Sequence, residues 1–292
     1  MKISIYGKSF NQSFIPFIEE LFRKLNREGV EIFLYKPFFD FIKSDTELHC
    51  EPAGFFTTSE NLSKKTDFMI SIGGDGTFLE AVGIVQDSDI PVVGLNSGRL
   101  GFLANISKES ITESINEILS NKFTYEHRSL IHLTSPSDIF HEFPYGLNEV
   151  TIQKKDSSMI TVHTYINDEF LNSYWTDGLI ISTPTGSTAY AMSVGGPIIE
   201  PDCNNFIIAP IASHNLSVRP ILIPDDVEIT LKMDGRADKF LVTVDNRTAT
   251  LSRLVEIKLK KADFSIRMLK LHTNTFYKTI GNKLMWGVDK RN

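Results

Sequence analysis

The chain has 292 residues, 41% of them hydrophobic, a formal net charge of -6 and two cysteines. That is enough apolar material for a sizeable core and two domains, and the acidic balance gives no electrostatic reason to expect nucleic acid or an anionic membrane as a partner. No apolar run is long enough to span a bilayer; Cys50 and Cys203 do not make a disulfide framework, and a reducing cytoplasm is the simpler expectation.

Residues 1–6 read as a strand rather than as a signal peptide. Residues 14–28 read as a helix, with Ile18, Leu21, Phe22 and Leu25 on one face and Gly29 as its stop. A second strand covers 30–35, and 38–63 read as a loop with a short helix. The apolar run 68–72 predicts a buried strand. It ends in Gly73-Gly74-Asp75-Gly76, after which Phe78, Leu79 and Val82 continue at helical spacing. Residues 91–95 form another strand, leading into the glycine-rich 96–103. Ser110 and Glu113 have capping-box spacing ahead of a stripe of Ile111, Ile115, Ile118 and Leu119. Alternating strands and helices predict a parallel sheet covered on both faces.

After residue 123 short β-prone runs follow one another, at 129–133, 149–153, 161–166, 179–182, 206–209, 228–233, 239–244 and 254–259. Turn pairs such as Asn167-Asp168 and Asp234-Gly235 separate several of them. They predict an antiparallel, sandwich-like β-rich domain, with one short helix after Thr185-Gly186-Ser187-Thr188. Phe276, Ile280 and Leu284 recur at every fourth position and predict a closing helix. The expected organisation is an α/β domain at 1–123, a β-rich domain at 124–270, and a closing segment at 271–292 that packs back on the first domain.

The strand, Gly-Gly-Asp-Gly turn and helix are the parts of a phosphate site, where bare backbone N–H groups and a positive helix end meet an anion. Asp75 is the odd member, since a carboxylate repels phosphate. It either holds a metal that bridges phosphates or takes a proton from an attacking hydroxyl; both readings point to phosphoryl transfer, and the competing reading is a helix cap. Neither a P-loop nor a clean G-x-G-x-x-G is present. Asn148-Glu149 offers an amide beside a carboxylate, which suits vicinal sugar hydroxyls but is also ordinary at a strand entrance. From Trp175 to Tyr190 an apolar strand runs into a loop dense in hydroxyls, able to wrap a nucleotide, with Tyr190 available to stack on a base. The seven histidines are scattered, without metal-ligand spacing, and Arg99 and Arg219 read as structural before phosphate-binding.

Taken in order, the Gly-Gly-Asp-Gly turn, Asn148-Glu149, Asp177-Gly178 and the loop Thr183-Pro184-Thr185-Gly186-Ser187-Thr188-Ala189-Tyr190 resemble the NAD kinase family. Residues 94–103 and Val218-Arg219-Pro220 share the likeness, which covers about 67–224. The hydroxyl loop is its specific part; the glycine-aspartate turn is shared with diacylglycerol and sphingosine kinases. The resemblance implies ATP-dependent phosphorylation of the adenosine-ribose 2′-hydroxyl of NAD, with magnesium arriving on ATP and no dedicated metal site. It also implies a cleft between an α/β and a dinucleotide-binding β-rich domain, and a homodimer or homotetramer. By the same likeness Asp75 is the general base, Gly74 and Gly76 let backbone approach phosphate, and Asn148 and Glu149 contact the ribose. Asp177 meets the far end of the dinucleotide, the segment Thr188, Ala189, Tyr190, Ala191, Met192 and Ser193 holds the adenosine half, and Ala212 reaches a substrate on a neighbouring subunit. Trp175, Ser158 and Glu80 depart from residues found in other members. The rival readings are a lipid kinase of the diacylglycerol type and a non-catalytic dinucleotide sensor.

Overall fold

The computed structural model describes all residues except 47, 49, 64, 99, 100, 273, 274 and 286–292, so Arg99 and His49 lie outside the described residues. The chain divides into two compact units, one made of 1–127 with 266–292 and the other of 128–265.

The first unit opens with β1 (Lys2–Gly7), α1 (Ile15–Arg27), β2 (Glu31–Tyr35), α2 (Lys36–Asp45) and β3 (Gly54–Phe56). β4 (Phe68–Gly73), α3 (Asp75–Val85), β5 (Val92–Asn96) and α4 (Ile111–Leu119) follow. β4 and β5 are buried along their whole length, as strands covered on both faces must be. The strands are parallel in the order β5-β4-β1-β2-β3. Connections run outward from β1 in one direction and from β4 in the other, so the order reverses between those two neighbours, where Gly7 stands beside Ile72. In open α/β sheets the carboxyl ends at such a reversal are where ligands bind, and the glycine-aspartate turn leaves β4 there. Ile18, Leu21, Phe22 and Leu25 of α1 all enter the core beside Ile3, Ile5 and Ile70.

Two expectations change. The 38–63 stretch contains β3, which extends the parallel sheet beside β2; three residues in an irregular, polar stretch carry too little pattern to be read. The capping box does not form: Ser110 makes no side-chain cap bond, and its hydroxyl donates instead to the Ser107 carbonyl. A 3₁₀ turn at Lys108–Ser110 already leads into α4.

The second unit takes in most of β6 (Phe123–Ser135), then β7 (Tyr145–Gly146), β8 (Glu149–Lys154), β9 (Ile160–Ile166), β10 (Glu169–Thr176) and β11 (Gly178–Ser182). A 3₁₀ turn (Thr185–Thr188) and α5 (Tyr190–Ser193) precede β12 (Asn205–Ile211), β13 (Ile221–Pro224), β14 (Ile229–Gly235), β15 (Lys239–Val244), β16 (Arg247–Ser252) and β17 (Ile257–Leu271). One antiparallel sheet has the order β13-β12-β11-β8-β15-β16; β10, β9, β14 and the first part of β17 form another antiparallel set. Val150, Ile152, Leu179, Ile181 and Val242 of the first meet Val162, Tyr174, Leu231 and Leu259 of the second in one core, the sandwich-like arrangement expected. β17 then re-enters the first unit, pairing Met268 with Val92 in parallel, and α6 (Phe276–Leu284) ends the described chain.

Candidate functional site

In the first unit the site is built around one carboxylate. Gly73 ends the buried β4 and passes so close to the first turn of α3 that an added Cβ would lie 2.3 Å from Thr77 Oγ1. At Gly74 and Gly76 a Cβ would meet nothing within 4 Å; their backbone faces open space. Gly74 is the N-cap of α3 and makes no side-chain cap bond, while Asp75 is the first helical residue. Asp75 does not cap its own helix. Its Oδ2 accepts the Phe102 N–H, and its Oδ1 accepts those of Leu103 and Ala104, each at 3.0 Å. The segment that offers these amides folds back on β5: Asn96 Oδ1 accepts the Gly98 N–H at 2.7 Å, and a Cβ on Gly94 would strike the Ala104 backbone at 2.5 Å. Gly101 is required here, since a Cβ would fall 1.9 Å from Asp75 Oδ1. Residues 101–104 are therefore the seat of Asp75. Lys283 of α6 places its Nζ 3.5 Å from Asp75 Oδ2.

Glu80, four residues after Gly76, is held by the Tyr6 hydroxyl at 2.8 Å and the Lys8 ammonium at 2.7 Å. Burial, reinforced by Glu80, pushes the Tyr6 phenol well above its usual range.

In the second unit Asn148 and Glu149 are both buried at the entrance to β8. A second carboxylate organises them. Asp245 sits with φ at 52° in the tight turn between β15 and β16, and accepts the N–H groups of Leu147 and Asn148 at 2.8 Å and of Glu149 at 3.2 Å. Burial and then the nearby Asp245 push Glu149 up to about 8, against a hydrogen bond from the Tyr190 backbone. Burial pushes Asp245 up too, but three backbone amides and Arg247 favour its charge. Glu149 Oε2 has no hydrogen-bond partner among the described residues, and a carboxyl raised to about 8 keeps its proton at neutral pH.

The hydroxyl loop wraps back onto this pair. The Asn148 carbonyl accepts the Thr183 N–H at 2.9 Å and the Ser182 hydroxyl at 3.2 Å. A Cβ on Gly186 would stand 2.2 Å from that carbonyl. Thr188 Oγ1 donates to the Thr185 carbonyl at 3.3 Å; Ala191 is buried while Tyr190 and Ser193 are exposed. The Tyr190 hydroxyl accepts from Gln153 Nε2 at 3.1 Å. Asp177 pairs with Lys154 at 2.6 Å, and its N–H donates to the carbonyl of Ile211, next to the exposed Ala212, whose φ is 47°. Residues 148–154, 177, 188–193 and 212 thus gather around β8 and β11, with Ala189 and Met192 on the same loop. Trp175 is exposed, its ring 5.4 Å from that of His214. Ser158 donates its N–H to Asp156 Oδ1. Arg219 donates to the carbonyls of Leu216 and Val218 and so ties its own loop.

Sequence reading missed Asp245, Lys154 and Lys283. Asp245-Asn246 between two β-prone runs was the available signal for the first; nothing local marked the lysines.

Comparison with known proteins follows the same division. The ATP-NAD kinase N-terminal domain family matches residues 11–123, and the ATP-NAD kinase C-terminal domain family matches 147–271. The NAD kinase of Flavobacterium johnsoniae is 45% identical over 100% of both chains, that of Cytophaga hutchinsonii 42% and that of Bacteroides fragilis 44%, again over 100% of both. Two crystal structures share the fold. Yeast NADH kinase complexed with NADH covers 99% of this chain and 89% of its own, with a TM-score of 0.85 at 23% identity. An NAD kinase from Archaeoglobus fulgidus in complex with ATP covers 98% and 99%, with a TM-score of 0.74 at 24% identity. Matches to both halves, and relatives aligned end to end, leave a single assignment: the chain belongs to the NAD kinase family.

Proposed function

We propose that the chain transfers the terminal phosphoryl group of ATP to the 2′-hydroxyl of the adenosine ribose of NAD, giving NADP and ADP. The observation that carries this reading is the end-to-end likeness to NAD kinases, and the geometry supplies roles. The 2′-oxygen attacks the terminal phosphorus, the new O–P bond forms as the bond to ADP breaks, and the hydroxyl proton passes to Asp75. Such transfers need alignment and charge neutralisation more than covalent help, and a positioned base contributes roughly a hundred- to ten-thousand-fold.

Asn148 and Glu149 hold the ribose. A protonated Glu149 donates through one oxygen and accepts through the other, which matches a sugar hydroxyl in either role. Residues 188–193 hold the adenosine half, with the exposed Tyr190 ring as a stacking face and the exposed backbone of Gly74 and Gly76 as the approach for phosphate. Asp177 faces the far half of the dinucleotide, with Lys154 balancing its charge. Ala212 approaches a substrate on a neighbouring subunit of a homodimer or homotetramer.

Among the described residues no three His, Cys, Asp or Glu side chains gather as a metal set. Magnesium belongs to the substrate complex, carried in on ATP. No helix among the described residues is long and apolar enough to cross a membrane; a cytoplasmic location fits the two free thiols.

The test is direct. Purified protein incubated with NAD, ATP and magnesium should yield a product that an NADP-specific dehydrogenase reduces. No such product, with NAD still bound, would favour a dinucleotide sensor, and label passing to diacylglycerol would favour a lipid kinase.

A further inference from the structure

A carboxylate offers about four acceptor positions. On Asp75 three are taken by the amides of Phe102, Leu103 and Ala104, and the Lys283 ammonium stands at the remaining side, against Oδ2. That contact is loose. At 3.5 Å it is well beyond the roughly 2.7–2.9 Å of a tight charged bond, and the ammonium also lies 4.5 Å from the Phe102 ring centroid, a cation–π distance. With three N–H donors on a side chain about one-third exposed, Lys283 has donors to spare.

Its position on α6 is not that of a solvating lysine. Thr279 and Ile280 are the buried residues of this helix. Lys283 follows them by four and three positions and shares their face. The helix is fixed at both ends: the Thr275 hydroxyl accepts the Lys278 N–H, and Met285 closes the last turn in the left-handed conformation. Among the described residues, Lys8 also reaches α3, but it is already paired with Glu80 at 2.7 Å.

We propose that Lys283 is the donor-phosphate cation of this site: it rests on Asp75 when no triphosphate is present and moves to the terminal phosphates of ATP when one binds, freeing the acceptor position that the ribose hydroxyl then uses. Two events are thereby coupled. Phosphate neutralisation by Lys283 and exposure of the base are the same motion, so the base is covered until a phosphoryl donor arrives.

The inference rests on the ATP-NAD reading, and the experiment separates the two. Steady-state kinetics are measured for the wild type and for Lys283→Met, Lys283→Gln and Lys283→Arg, with thermal stability of each recorded. Met and Gln variants should raise KM for ATP roughly ten- to a hundredfold, the worth of one charged hydrogen bond to phosphate, and lower kcat. KM for NAD should stay within about twofold, and Arg should restore most of the ATP effect. If Lys283 only tethers α6, Met and Gln will lower the melting temperature and leave both KM values alone, and the proposal falls. Equal rises in KM for ATP and NAD, or an Arg variant no better than Gln, also overturn it. Failure of the wild type to make NADP would instead remove the underlying reading.

Discussion

Asp75 and Glu149 show how identical chemistry is steered by surroundings. Asp75 lies at a helix start with its oxygens turned to the amides of 102–104, a geometry that holds the carboxylate in one orientation. Asp75→Asn should cut kcat about a hundred- to ten-thousandfold while NAD still binds; near-normal turnover would remove Asp75 from the chemistry. The substitution also sets an amide NH2 against one of the backbone N–H groups, so stability should fall by about 1–3 kcal/mol, read as a lower denaturant midpoint. Glu149 is held differently, by burial next to Asp245, which raises it to about 8. In the folded state it keeps a proton that the unfolded chain gives up near 4.5, so the native form binds more protons between those values. Its stabilising contribution is complete below about pH 4.5 and is lost as pH climbs to about 8. Glu149→Gln should flatten the decline in melting temperature across that window; an unchanged slope would mean that Glu149 is not the group titrating.

At the scale of elements, β8 and the hydroxyl loop act as one piece because Gly186 lets the loop lie against the Asn148 carbonyl. Gly186→Ala must push backbone from backbone. A loss of about 1–3 kcal/mol is expected from overpacking, together with a higher KM for NAD, since 148–149 and 188–193 move together. A stability loss without a change in KM would show that the loop does not position the ribose pair. Much of this architecture was legible in sequence because it rests on local pattern. The apolar run of β4, the stripe of α1 and the Phe276-Ile280-Leu284 spacing of α6 each carry their own period. β10 escaped because adjacent Phe170 and Leu171 are both exposed and exposed Trp175 stands beside buried Tyr174 on an edge strand, which blurs the inside-outside rhythm. Asp245 and Lys283 escaped for another reason. Their partners lie 96–98 and 208 residues away in the chain, and only tertiary structure brings such pairs together. The motif residues were readable, whereas the groups that aim them were not.

Across the whole molecule, each unit has a large hydrophobic core among the described residues, and the second unit also holds a smaller cluster of Ile180, Ala191, Ile199, Ile207 and Ala209. Ile3, Ile70, Leu95 and the returning Leu269 and Leu271 belong to the first, and Val150, Ile181, Leu231 and Val242 to the second. A chain with two such cores need not unfold in one step, and that makes ligand effects diagnostic. If NAD is gripped by Asn148, Glu149 and the 188–193 loop, its binding energy is felt by the second unit, whereas Asp75 contributes chemistry. NAD at a hundred times its Kd should stabilise the unit that holds it by about 2.7 kcal/mol, a rise of roughly 5–11 °C for a unit of this size. Scanning calorimetry with and without NAD should show that rise in the wild type and undiminished in Asp75→Asn, with Asn148→Ala abolishing it. A shift lost in Asp75→Asn and kept in Asn148→Ala would move the dinucleotide's main grip to the glycine-aspartate turn, and the division between a binding unit and a reacting turn would have to be reversed.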